Sequence, residues 1–203
     1  MSRSSTPADF AGRCRACFFR LEVCLCDRIP RVRARTEVVI LRHVKEAFKS
    51  TNTARLAALA LERAALHTYG APGSPFQPSL LAGEGTWLLF PGPGGAPGPA
   101  GSPARLLVLD GSWGQARRMV QRLPALRALP RLSLPPHGQD RVRMRRPPSP
   151  EGLSTLEAIA FALGSLEGEQ VQRPLLELYE LAVQRVLLTR GRLGGRPGDA
   201  TPA

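Results

Sequence analysis

The apolar positions of this chain fall into short solid runs and longer periodic stripes. Three runs, "TEVVIL" (36–41), "TWLLF" (86–90) and "RLLVLD" (105–110), are brief and rich in aliphatic residues, and each predicts a strand. The continuous apolarity of "RLLVLD" predicts cover on both faces, the environment of a parallel sheet. The stripes predict helices. "NTARLAALALERAAL" predicts one over 53–66, with Thr51 or Asn52 as N-cap. From Gln115 to Leu123, Ala116, Met119, Val120 and Leu123 recur at helical spacing while Arg117, Arg118 and Arg122 point away, an apolar floor under a basic roof. In "LSTLEAIAFALGSL", Ser154 and Glu157 form a capping-box pattern ahead of a stripe of Leu156, Ile159, Ala160 and Leu163. A final helix is expected to start near Pro174 and to end at Gly191, and "RLSL" and "RVRMR" read as short strands. Strand, loop and helix in alternation predict an α/β fold with a mostly parallel sheet.

At 203 residues and 43% hydrophobic content, the chain has the material for one catalytic-sized domain with a small appended module. The expected division is a disordered start at 1–13, a four-cysteine module at 14–30, an α/β domain at 31–190 and a disordered tail at 191–203. Within the domain, the Gly/Pro-rich stretch at 91–104 reads as a flexible surface insertion. No apolar run approaches the roughly 20 residues that span a bilayer, and the first residues lack an apolar signal core. A soluble, cytoplasmic protein is expected.

All four cysteines lie within one short stretch, as Cys14, Cys17, Cys24 and Cys26. Such crowding suits a structural zinc site, because four thiolates close a tetrahedron and leave no position for water. A disulfide pair or four unligated thiols are the alternatives. The charge changes the picture further: +12, from 26 Arg and 2 Lys against 16 acids. That excess points to a polyanion such as nucleic acid, although arginine-rich codon usage has the same signature. Between residues 105 and 146, ten arginines face only Asp110 and Asp140.

Ligands of open α/β sheets sit beyond the carboxyl ends of strands, and three such places carry informative residues: "FPGPG" after the second strand, "DGSW" after the third, and "PPSPEGLST" before the helix at 155. Small residues there let backbone approach a ligand, and capped helix N-termini offer donors to anions. Taken singly, Asp110 reads equally as helix cap or catalyst, Trp113 more as core than as pocket wall, and Glu157 more as a capping residue than as an acid.

Together these segments resemble one family. "LVLDGSWGQARRM" is similar to the D-x-[ST]-W signature of the DTW-domain proteins, tRNA-uridine aminocarboxypropyltransferases, and "GLSTLEAIAFAL" to their S-T-L-E-A segment. "CRACFFRLEVCLC" matches the cysteine module, and "LRHVKEAFKSTNTARLAALAL" an H-x-x-E/K-x-x-K-x-T/S-N-T segment. The resemblance runs from about Cys14 to Leu188. It departs in having Ser112 where the family name implies Thr, and in the Gly/Pro insertion.

The resemblance implies a SPOUT-like sheet with a C-terminal trefoil knot around S-adenosylmethionine. It also implies transfer of that cosubstrate's 3-amino-3-carboxypropyl group to N3 of a tRNA uridine, releasing methylthioadenosine. Asp110 is then the candidate base for the N3 proton, or a ligand of the cosubstrate's amino group. Phe90, Pro91, Gly92, Gly111, Ser112, Trp113, Leu153, Ser154 and Thr155 are the candidate cosubstrate residues, with Ser112, Ser154 and Thr155 aimed at the tail carboxylate. Arg42, Lys49, Arg55, Arg117, Arg118, Arg122, Arg141, Arg143, Arg145 and Arg146 are candidate tRNA contacts. A methyltransferase of the same fold class and a non-catalytic zinc-ribbon RNA-binding protein are the rival readings.

Overall fold

The computed structural model describes residues 12–73, 77–81, 83–91, 101–135, 144 and 152–191. Gly92, most of the expected insertion, most of "RVRMR" with Arg141, Arg143, Arg145 and Arg146, and the ends of the chain lie outside the described residues.

Five strands form one all-parallel sheet: β1 (Glu37–His43), β2 (Ala64–Tyr69), β3 (Thr86–Leu89), β4 (Arg105–Asp110) and β5 (Arg131–Leu132), in the order β2-β1-β4-β3-β5. The expected parallel α/β sheet is therefore present. Its strands are apolar on both faces because both faces are covered. Val38, Ile40, Leu106 and Val108 join the larger core, with residues of α1 (Thr53–Ala60), α4 (Thr155–Glu167) and α5 (Glu169–Thr189). Val39, Leu41 and Leu107 belong to a smaller core with Met119 and Val120 of α2 (Trp113–Arg122) and Leu126 of α3 (Pro124–Ala128). None of the helices among the described residues is long and apolar enough to cross a membrane.

Two expectations need correction. The helix over 53–66 stops at Ala60, and Ala64–Tyr69 is instead strand β2, paired with β1 from Val38↔Ala64 to His43↔Tyr69. Ala and Leu favour helix by less than about 1 kcal/mol per residue, which a six-residue ladder outweighs. The last helix begins at Glu169, five residues before Pro174, because Gly168 at φ 103° ends α4 and opens α5 in one joint. Pro174 sits inside the second turn, and the hydrogen bond its missing N–H forfeits is offset by burial of Val171, Leu175, Leu178 and Tyr179.

The joint also delivers Glu167 to the start of the sheet. Its carboxylate accepts from the Arg35 and Thr36 amides, both at 2.8 Å. Burial pushes this carboxyl up, but the two amides, the Thr36 hydroxyl and the Arg35 charge together bring it below the ordinary glutamate value. A depressed native pKa contributes stability above the ordinary glutamate value, lost as pH falls through the native one. Glu167→Gln is expected to cost about 2 kcal/mol at neutral pH, measured by urea unfolding, and to flatten the acid side of the stability profile.

The cysteine segment is not a separate bead. Cys17, Phe19, Val23 and Leu25 are buried in the larger core, and a bridge between Arg13 and Arg20 closes the knuckle.

Candidate active site

Three capped helix N-termini meet at the carboxyl edge of the sheet. Asn52 caps α1, accepting from the Arg55 amide at 3.1 Å. Ser112 and Ser154 cap α2 and α4, each in a full capping box, with Gln115 and Glu157 as the reciprocal partners. The Ser154–Glu157 box is the one expected from the sequence. Ser112 and Gln115 carried the same spacing, which moves the start of α2 back to Trp113.

Asp110 ends β4 between two of these termini and is only 3% exposed. Its Oδ2 accepts from Asn52 Nδ2 at 2.5 Å and its Oδ1 from Thr155 Oγ1 at 2.6 Å. The Leu156 amide donates to Thr53 Oγ1 at 3.3 Å, so α1 and α4 are bound to one another as well as to the carboxylate. Burial pushes the Asp110 carboxyl up; the Thr155 and Asn52 bonds oppose that shift without cancelling it. The result is a carboxylate more basic than an exposed one, with one lone pair left on each oxygen. Its burial comes from packing beneath α1 and α4. Trp113 is 40% exposed, a pocket-wall residue rather than a core one.

Beside Asp110 a cleft of about 310 Å³ opens over the ends of β4, β3 and β5. Phe90, Pro91 and Trp113 form an aromatic and imide wall, and Gly111, Leu153, Ser154 and Thr155 line the side toward α4. The Phe90 and Trp113 rings lie 5.9 Å apart at 56°, and Arg131 covers Phe90 at 5.6 Å while donating to the Pro91 carbonyl at 2.9 Å. Seven of the nine expected cosubstrate residues thus share one cleft. Ser112 does not line it, and Gly92 lies outside the described residues.

The DTW domain profile matches residues 11–187 of this chain. The chain belongs to the DTW-domain family. Among curated relatives of this DTW domain, the tRNA-uridine aminocarboxypropyltransferase 2 of Drosophila melanogaster is 29% identical over 185 residues, covering 85% of this chain and 74% of that protein. The protein of the same name from Macaca fascicularis is 26% identical over 197 residues, covering 88% of this chain and 66% of its own. No solved structure matches the chain.

In this DTW domain the four cysteine sulfurs lie within 4.8 Å of one another, with Cys14–Cys26 at 3.4 Å and Cys17–Cys24 at 3.7 Å. Those spacings are too long for S–S bonds. A tetrahedron with Zn–S bonds of about 2.3 Å places its sulfurs about 3.8 Å apart, so the donor set fits zinc. The amides of Cys17 and Ala16 hold the Cys14 thiol down at about 6, whereas burial and the neighbouring sulfurs push Cys26 up. Four crowded thiols give up all their protons only to a cation.

The basic residues of the DTW domain divide into two kinds. Arg117, Arg118 and Arg122 are exposed on α2, over buried Ala116, Met119 and Val120, as the stripe predicted. Leu123, the fourth floor residue, is half-buried just past the helix. Arg42 and Arg55 are half-buried and engaged within the chain: Arg42 donates to Thr68 at 3.1 Å, and Arg55 donates to the Ala47 carbonyl at 2.7 Å and stacks 4.8 Å over Phe18. Burial and the nearby Arg55 charge lower the Arg42 pKa. Lys49 pairs at 2.6 Å with Glu46, which is itself 2% exposed. The residue that sequence reasoning passed over is Asn52. The pattern offered it as a cap, and only the fold places its amide on Asp110.

Proposed function

We propose that this protein transfers the 3-amino-3-carboxypropyl group of S-adenosylmethionine to N3 of a uridine in tRNA. The observation that carries the reading is Asp110, a buried and base-strengthened carboxylate whose chain neighbours Leu109 and Gly111 and hydrogen-bond partner Thr155 line a cleft of nucleoside size. The names of the curated relatives support it. On the same resemblance we assign the parallel sheet to the SPOUT-like class with a C-terminal trefoil knot, and the protein to the cytoplasm.

S-Adenosylmethionine supplies an electrophilic γ-carbon and a sulfur leaving group. Asp110 takes the N3 proton, the N3–Cγ bond forms as the Cγ–S bond breaks, and the electron pair leaves with sulfur in methylthioadenosine. Phe90 and Trp113 hold the nucleoside in the cleft. The Thr155 hydroxyl proton is committed to Asp110. Ser154 lines the cleft and accepts from the Glu157 amide, which leaves its own proton to donate to the tail carboxylate. Fixing that tail turns the γ-carbon, rather than the methyl group, toward N3. Zinc on Cys14, Cys17, Cys24 and Cys26 crosslinks the knuckle and offers no open position for chemistry.

The deciding experiment is mass spectrometry of tRNA incubated with the protein and S-adenosylmethionine. An aminocarboxypropyl adduct on uridine with stoichiometric methylthioadenosine is expected. A methylated base with S-adenosylhomocysteine, or tRNA binding with no product, overturns the reading.

The exposed arginines of α2 make the tRNA surface of this proposal. Each phosphate contact contributes about 0.7 to 0.9 to the slope of log K against log salt. Replacing Arg117, Arg118 and Arg122 together by Gln is expected to flatten that slope by roughly two to three, leaving folding and S-adenosylmethionine affinity intact. Filter binding across a salt series checks this; an unchanged slope moves the RNA elsewhere.

A further inference from the structure

The cysteine knuckle carries a strained residue that the proposed chemistry does not use. Phe18 has φ 67°, the one non-glycine among the described residues in the left-handed region, and for a bulky side chain that conformation costs free energy. The turn that imposes it is closed by the Phe18 amide donating to the Cys14 carbonyl at 2.9 Å and the Cys14 amide to the Phe19 carbonyl at 2.8 Å. Cys17 and Phe19 enter the larger core on either side of it, whereas Phe18 is buried but belongs to neither core. Strain of this kind persists where the surroundings hold it, and it clusters at functional surfaces.

Phe18 is buried against cations and a second ring. The guanidinium of Arg55, on α1, lies 4.8 Å over it and that of Arg13 5.4 Å over it, and the Phe48 ring meets it edge to face at 6.3 Å and 61°. Arg55 also donates to the carbonyl of Ala47, the residue before Phe48, at 2.7 Å. The knuckle thus braces Phe48 through Phe18 and Arg55.

Phe48 itself is 44% exposed. Among the described residues the exposed aromatic side chains are Phe48 and Trp113, and they follow the carboxyl ends of the adjacent strands β1 and β4. Lys45 and Lys49 stand on either side of Phe48 in the chain and are exposed, whereas the one acid of the turn, Glu46, is buried and paired with Lys49. The open surface of this turn is therefore aromatic and cationic, with its carboxylate withdrawn.

The turn is tied to the reacting carboxylate. Asn52 donates through its side chain to Asp110 at 2.5 Å, and its own amide donates to the Lys49 carbonyl at 3.0 Å. At 3.8 Å per residue, the Cα atoms of Phe48 and Asn52 are at most about 15 Å apart, which brings the ring within reach of a nucleotide adjoining one that reacts at Asp110.

We infer that Phe48, braced by Phe18, is the platform on which an unpaired tRNA base neighbouring the modified uridine stacks. The inference rests on the uridine-transfer reading. Drawing the uridine out of its stack toward Asp110 bares a face of the adjoining base, and an exposed ring covers that face while the lysines beside it meet phosphates. The cations on both sides of the ring select a polyanion over a peptide.

Ring and charge are separable by substitution. Phe48→Leu keeps an apolar side chain and removes the aromatic face, and Phe48→Tyr keeps the face. One stacked base contributes about 5- to 150-fold in affinity, so Phe48→Leu is expected to weaken tRNA binding within that range and Phe48→Tyr to bind nearly as wild type. Neither removes a phosphate contact, so the slope of log K against log salt is expected to stay unchanged. Filter binding across a salt series reads both quantities, beside a melting temperature that reports the fold. Phe48→Leu that binds tRNA as wild type overturns the inference and assigns the ring to a protein partner or to none. A flattened slope in Phe48→Leu, or Phe48→Tyr that binds as weakly as Leu, overturns it as well.

A measurement on the unaltered protein guards against misfolding of either variant. Once the adduct has located the modified uridine, tRNA made abasic on one side of it and then on the other is expected to lose the same factor at one of the two positions. Affinity equal to that of intact tRNA at both positions overturns the inference. Wild-type protein that binds tRNA but forms no uridine adduct refutes the transfer reading itself, a result obtained before any variant is made, and the inference falls with it.

Discussion

Asp110→Asn is expected to lower the rate of transfer by about two to four orders of magnitude, the span attributed to a positioned general base. The fold should survive it. An amide at this position can accept from Asn52 through its oxygen and donate to the Thr155 hydroxyl through its nitrogen, so both hydrogen bonds are replaced. The stability effect has a sign that separates catalysis from architecture. Burial raises the native Asp110 pKa, so the native state holds this proton more tightly than the unfolded chain does. The stability contributed by this group therefore falls as pH rises from the ordinary aspartate value through the raised native one, and at neutral pH its charge is a net cost. The variant is expected to unfold at the same temperature as wild type or higher, while losing activity. The wild-type pH–rate profile should have its acid limb above the usual aspartate value of about 3.9. Calorimetry beside single-turnover kinetics checks both parts. A variant that is destabilised but active assigns Asp110 to the scaffold alone.

Metal removal is expected to have the larger effect on stability. Cys17 and Leu25 are among the most buried side chains of the main core, which they share with Phe19, Val23 and residues of α4 and α5. Opening the four-thiolate site frees the knuckle and uncovers that core, and breaking structural zinc sites forfeits much of the folding free energy they supply. Cys17→Ser, or chelation of the wild type, is expected to lower the melting temperature by roughly 10 °C or more, since each kcal/mol moves a domain of this size by about 2 to 4 °C. Zinc content should fall in step. At temperatures where the chelated protein stays folded, turnover per folded molecule should change little. Protein that contains no zinc as purified, and melts at the same temperature with chelator, refutes the metal assignment.

The sheet was legible because its strands are covered on both sides: a solid run such as "RLLVLD" has few other stable uses. Strand β2 was hidden because "AALHTY" continues an Ala- and Leu-rich helix without a proline or glycine to mark the change. Its strand character comes from β1, a partner 26 residues away in the register, and no local window contains that information. The site divided along the same line. Cys14, Cys17, Cys24 and Cys26 announce themselves by spacing, and Ser154 with Glu157 by a four-residue pattern. The Asn52–Asp110–Thr155 contact joins three segments that only topology brings together. The exposed state of Trp113 and the half-buried state of Arg42 were likewise outside local pattern, because residue type alone does not say which side of a strand end is covered.

The hydrogen bonds that hold Asp110 reach across 58 residues in one direction and 45 in the other. No fragment of the chain, and no intermediate in which α4 has yet to dock, can have this carboxylate in its buried, strengthened form. Before docking, Asp110 is an ordinary aspartate in water, too weak a base to take a proton from uracil. On the proposed reading, chemical competence is thus withheld until α1 and α4 have both docked beside β4, and a partly folded molecule that met tRNA through its arginines would hold it without reacting.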